Sequence, residues 1–382
     1  MPSLSCMSVL RLKTIGGRAV ACLLAIGILA TLAVLGVSFG INLARALGQP
    51  EQAGVILAIP AVSVSLILLV LAHECGHAIA AVFVGWRLLL FTGWRLTIKF
   101  DPIRIHWASS PFGGAVAGAV VALPESGPIH RSEWIAIVVG GVVANVVLAL
   151  VAAALLWIGQ APVVTSLSIL VGSLSLLLFI SNLVPRRSAI FRNDGALLID
   201  AVKGENLIPR EHYTLLFAET VKGKRPRDWN PRYVQAVYAD LVNHQPEAYQ
   251  YLLLSDWHFD RGEFEEARHM LELAKALDKS GKAFLVQDAL LLATIEQDGA
   301  AAQWLLSRVT PKQARRTFSY WLAMGAANLV VGEKQSARIN LERAEIALKR
   351  FPLSTDADWQ FLRILQRKAE VQITPPTEMA PA

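Results

Sequence analysis

Residues 55–77 read VILAIPAVSVSLILLVLAHECGH, and the fold turns on this stretch. Residues 55–72 carry no charge; His73, Glu74 and His77 then arrive together. An apolar run of that length is a candidate membrane span. His73 and His77 stand four apart, so on a helix they share one face and can grip a single metal ion. The H-E-x-x-H spacing sets Glu74 beside that ion, where a carboxylate serves as base toward water. A soluble zinc hydrolase would carry the pattern on an amphipathic helix. Here it sits in an apolar one, where ionisable groups are costly and signal function. The bland alternative, a helix with two satisfied histidines, leaves buried charge without a role. Cys75, two positions from His73, points about 200° around the helix and away from the metal.

The composition agrees with the setting. Of 382 residues, 54% are hydrophobic and 17% charged, which points to a membrane protein with room for two domains. The first half is mostly apolar runs, and from about Lys203 the chain turns polar. Four spans are expected, at about 19–43, 60–84, 134–158 and 164–184, with Pro60 as a first-turn residue. The run at 19–43 follows Arg11, Lys13 and Arg18 and is longer than a signal-peptide core, so it is expected to be retained. Basic residues gather before the first span, between the second and third (Arg87, Arg95, Lys99, Arg104, Arg131), and after the fourth (Arg186, Arg187, Arg192). The positive-inside rule then puts both termini in the cytoplasm and His73 and His77 in the cytoplasmic half of the second span. Short loops suit a bacterial inner membrane. The net charge of +6 reports orientation rather than nucleic-acid binding, because many basic residues flank apolar segments. Cys6, Cys22 and Cys75 form no C-x-x-C, which argues against a disulfide framework or a thiolate metal site.

Between the second and third spans the period changes to two. Leu96, Ile98 and Phe100 alternate with Arg95, Thr97 and Lys99; Ile103, Ile105 and Trp107 alternate with Arg104 and His106. This is the signature of a membrane-associated β-hairpin, within about 86–107. It is either a ribbon lying on lipid headgroups or an edge strand that pairs with unwound substrate. Pro111-Phe112-Gly113-Gly114 and the small residues up to Leu123 follow, as a close-approach backbone or a turn into a membrane-dipping segment.

The polar half is expected to be helical and repetitive. Gly262, Phe264, Ala267, Leu271, Ala274 and Leu277 recur in part as Gly332, Ala337, Leu341 and Ala344, with Gly299 opening a degraded middle copy. A period near 35 residues suits tetratricopeptide-like helical hairpins, which usually bind a protein or peptide partner. The expected organisation is thus a cytoplasmic N-terminus (1–18), a membrane domain (19–203), a linker (204–229), a cytoplasmic helical-repeat domain (230–370) and a disordered tail (371–382). In fold class this is an all-α polytopic membrane protein with a small β-hairpin, followed by an α-helical repeat-like domain.

Two histidines leave a catalytic zinc ion short of one protein ligand. Two segments offer polar groups at the right depth. One is Gly140 to Asn145 in the third span. The other is Asn182-Leu183-Val184-Pro185, followed by Asn193-Asp194-Gly195. The set H-E-x-x-H, G-x-x-x-N, N-L-x-P and a downstream D-G resembles the site-2 protease family of intramembrane zinc metalloproteases, over about residues 55–203. The resemblance implies His73, His77 and Asp194 as ligands of one Zn2+ ion and Glu74 as catalytic base. It further implies Asn145 and Asn182 as polar groups of the active site. The substrates it implies are transmembrane proteins, unwound locally before cleavage near the cytoplasmic face. One departure is the stretch Arg186 to Arg192, longer than in the family's compact members. The alternative reading is a non-catalytic membrane scaffold acting through its helical repeats.

Overall fold

The computed structural model describes residues 33–100, 102–107, 117–124, 129–158, 161–187, 192–204, 207–278, 284–309, 317–351, 353 and 356–373. The expected span at 19–43 and the two termini lie mostly or wholly outside them; the end of that span is the apolar helix α1 (Ala33–Ala46). Among the described residues three helices are long and apolar enough to cross a membrane: α2 (Glu51–Phe83), α3 (Arg131–Ile158) and α4 (Pro162–Leu183). They cover the other three expected spans. Helix α2 starts earlier than expected, at Glu51, so Pro60 lies inside it rather than in its first turn. The apolar residues before Pro60 extend the helix, and the lost N–H is a defect that membrane helices tolerate. With 33 residues, α2 runs about 50 Å against a hydrocarbon core of about 30 Å, so it projects beyond the core.

The chain forms two compact units. The first comprises residues 1–72 and 143–181. Its core joins Phe39, Leu69, Leu170 and Leu174. Gly40 and Gly54 bring α1 and α2 to backbone contact, since a Cβ at Gly40 would stand 2.0 Å from the Gly54 carbonyl oxygen. Close approach of this kind holds helices together where lipid removes the hydrophobic drive between them. Ile56, Ile59 and Leu150 face outward, as lipid-facing side chains do.

The second unit comprises residues 73–142 and 182–382. It contains a four-stranded antiparallel sheet of β1 (Trp86–Gly93), β2 (Leu96–Phe100), β3 (Ile103–Trp107) and β4 (Gly118–Pro124), in the order β3-β2-β1-β4. The alternating stretch forms the β2–β3 hairpin, pairing Leu96 with Trp107 and Ile98 with Ile105. The expectation of a lone hairpin is corrected on the far side. Strand β4 pairs with β1 from Trp86↔Pro124 to Gly93↔Gly118. Strand β1 is buried at nearly every position, so it shows no alternation to read. The residues from Gly118 to Leu123, expected as a turn or dipping segment, are strand; Pro111 to Gly114 lie outside the described residues.

Helices fill the rest of this unit: α5 (Asp194–Lys203), α6 (Leu207–Val221), α7 (Pro231–Asn243), α8 (Ala248–Arg261), α9 (Phe264–Leu277), α10 (Leu285–Leu291), α11 (Gly299–Ser307), α12 (Phe318–Val330), α13 (Lys334–Lys349) and α14 (Asp356–Ile373). The stretch 204–229, read from sequence as a linker, holds α6 and a short 3-10 turn at Pro226–Asp228. Ala218 and Val221 of α6 pack with Leu89 and Leu90 of β1, Val121 of β4 and Leu353. The polar half is therefore docked on the sheet by buried apolar contact. Gly262 and Gly332 occupy equivalent left-handed turns after α8 and α12, at φ of 79° and 81°. Where a middle copy was expected, the left-handed residue is Gln297, after a π-helical turn at Leu292–Glu296. Gly299 serves a different purpose there: a Cβ would stand 2.6 Å from the Ala327 carbonyl oxygen, so it permits close packing of α11 on α12.

Candidate metal centre

The helical spacing does what four residues of rise and rotation require: His73 and His77 meet on one face of α2, with their Nε2 atoms 3.2 Å apart. Asp194, at the start of α5, closes the group. Its Oδ2 lies 2.9 Å from His73 Nε2 and 3.5 Å from His77 Nε2. Ligands about 2.1 Å from a tetrahedral zinc ion stand roughly 3.4 Å from one another. The three observed separations bracket that value, and two imidazoles with one carboxylate are a zinc donor set. All three side chains are buried or nearly so.

The surroundings aim these groups. His77 Nδ1 lies 2.7 Å from the Ile137 carbonyl oxygen and 3.3 Å from the Gly141 N–H. The shorter contact makes Nδ1 the donor, which leaves the Nε2 lone pair facing the metal position. Gly141 of α3 makes room for both rings, because a Cβ there would fall 2.4 Å from His77 Nε2 and 2.8 Å from His73 Cε1. Gly140 brings α3 against α2, with a virtual Cβ 2.5 Å from the Gly76 carbonyl oxygen.

Asp194 is placed by the residue before it. Asn193 caps α5, its Oδ1 accepting from Ala196 N and from Arg186 N at 2.8 Å. Its Nδ2 donates to the carbonyl oxygens of Asn182 and Val184. Gly195 lets the first turn of α5 approach the end of α4, where a Cβ would stand 2.2 Å from the Leu183 carbonyl oxygen. Arg187 and Arg192, near the two ends of the longer stretch at 186–192, form a β-bridge.

Asn182 joins this group, its amide 3.3 Å from His73 Nε2. Glu74 is buried beside β4, and a Cβ at Gly118 would lie 2.4 Å from its Cγ and 2.5 Å from its Oε1. Asn145 is fully buried on α3, one turn after Gly141, and belongs to the first compact unit. Cys75 is exposed and takes no part, as its angle on the helix requires. Gly118, Gly141 and Asn193 are contributors that motif reasoning did not assign. The glycines carry no chemistry to notice, and only the capping position of Asn193 ahead of an apolar run signals its part.

Residues 61–161 match the model of Peptidase family M50, a span that takes in the H-E-x-x-H motif, the sheet and Asn145 and stops short of Asp194. No curated protein and no solved structure matches the chain.

Proposed function

We propose that this chain, whose membrane half carries a Peptidase family M50 domain, is an intramembrane zinc metalloendopeptidase that cuts membrane-anchored proteins near the cytoplasmic face. One observation carries the proposal: His73, His77 and Asp194, from elements more than a hundred residues apart, converge with zinc-ligand spacing at the end of an apolar helix. Zinc, when bound, polarises a scissile carbonyl and lowers the pKa of water toward about 7.

The chain's own residues do the rest. Glu74 takes the proton from the attacking water and passes it to the leaving amine. The Ile137 carbonyl holds His77 in its ligating tautomer, and the Asn193 cap holds Asp194 in place. Asn182, beside His73, is positioned to donate to the substrate backbone or the developing oxyanion. Asn145 is assigned the same kind of role on its place one turn from Gly141. Both termini and the helical half lie in the cytoplasm of a bacterial inner membrane on this reading, and the helical half is a tetratricopeptide-like module that recruits protein partners. The hairpin glycines Gly262 and Gly332 support that likeness.

Glu74→Gln is the direct test. Cleavage of a membrane-anchored substrate should fall by at least ~100-fold while zinc content and melting behaviour stay as in the wild type. Cleavage at the normal rate would sink the mechanism. Loss of cellular function on deleting residues 230–370, together with a silent Glu74→Gln, would establish the scaffold instead.

A further inference from the structure

The helical half contains a cavity of about 1350 Å³, walled by α6, α8, α10, α12 and α14 among the described residues. Its lining is mainly aromatic and aliphatic, including Phe217, Trp229, Tyr249, Phe259 and Phe318. It exceeds the roughly 300–1,000 Å³ typical of small-molecule sites. Neither the metal centre nor the proteolytic chemistry uses it.

Polar groups in its wall are left over. The Trp229 indole Nε1 and the Thr220 hydroxyl are buried with no hydrogen-bond partner among the described residues. An indole N–H only donates, and a buried donor without an acceptor is costly. Asp256, on α8, lines the cavity with an exposed side chain. It makes no ion pair among the described residues, and the carboxylates nearest to it in effect are Asp358 and Asp260. Arg225, the cation in the same wall, is engaged by Asp260 at 2.5 Å and by Gln360 at 3.0 Å. Arg261 is held by Glu263 and stacks over Trp257. Arg367 and Lys368 are exposed on α14. The floor around Asp256 is thus an acidic point in an apolar trough.

From these features we infer that the cavity binds an apolar peptide segment bearing a lysine or arginine, the cation meeting Asp256 and a backbone carbonyl accepting from Trp229. A peptide fits the size, the apolar lining and the need for a carbonyl acceptor together. Its source is the cytoplasmic flank of the membrane-anchored substrate, and this part rests on the protease reading. Such flanks combine apolar residues with the lysine and arginine that the positive-inside rule puts there. The cavity also shares a wall with the proteolytic half. Phe217, Phe351 and Leu353 line it and pack with Leu89, Leu90 and Val121 of the sheet whose β4 begins beside Glu74.

The test is fluorescence anisotropy on the full chain in nanodiscs, with empty nanodiscs as background. The probes are a labelled twelve-residue Leu/Phe/Lys peptide and its Lys→Gln counterpart. The Lys peptide should bind roughly tenfold or more tightly than the Gln peptide, and Asp256→Asn should remove the difference. Trp229→Phe, which keeps the ring and deletes the donor, should weaken both peptides, with unchanged melting as its folding control. Equal binding of the two peptides, or no effect of Asp256→Asn, overturns the inference. Displacement of the peptide by dodecylamine at equal or lower concentration overturns it in favour of a small cationic amphiphile. Since no cleavage is read, these outcomes stand whether or not Glu74→Gln upholds the protease reading. The substrate assignment is tested apart: neutralising the basic flank of a cleaved substrate should slow the wild type and leave Asp256→Asn unaffected.

Discussion

Glu74, His73 and His77 are legible from sequence because their chemistry is in the residue types and their geometry is in the helix. Four residues bring two imidazoles to one face whatever lies around them. The glycines that admit them are not legible. Glycine is common in membrane helices, and its purpose is visible only when the opposing atoms are known. Gly141→Ala is expected to push the two rings apart, since the added Cβ meets His77 Nε2 at 2.4 Å and His73 Cε1 at 2.8 Å. Zinc content by mass spectrometry and cleavage rate should both fall. Asp194→Asn removes an anionic ligand and should reduce zinc retention on dialysis against a mild chelator, with the helices unchanged by circular dichroism. Wild-type retention would remove Asp194 from the ligand set.

Elements show where period and burial part company. The β2–β3 hairpin was readable because Leu96, Ile98 and Phe100 alternate with polar residues. Strands β1 and β4 were not: burial on both faces erases the alternation in β1, and β4, reading GAVVALP, has no polar residue to alternate. Helix α5 is the element on which the centre depends. Its place is set by four side-chain hydrogen bonds of Asn193, two of them to carbonyls of Asn182 and Val184. Asn193→Ala should therefore cost about 1–2 kcal/mol of local stability. It should also lower metal affinity roughly 10- to 100-fold, as loss of a supporting contact to a ligand does. A zinc titration followed by activity recovery measures both, and unchanged affinity would mean that Gly195 packing alone seats Asp194.

At the scale of the molecule, the sheet and the charge-rich helices form one compact unit through Leu90, Val121, Ala218 and Leu353, so the two halves of the sequence are not two independent bodies. Arg192 extends the tie, pairing with both Asp200 of α5 and Glu247 at the start of α8. By itself the sequence determined the apolar spanning helices, a histidine pair on one helix face with Glu74 beside it, and the helical character of the second half, because hydropathy and helical period act over a few residues. Only the tertiary structure brought Asp194 against His73 and His77, set β4 beside β1 and Glu74, and packed α6 on the sheet. Those outcomes depend on which surfaces meet across more than a hundred residues of chain, and no local pattern encodes that.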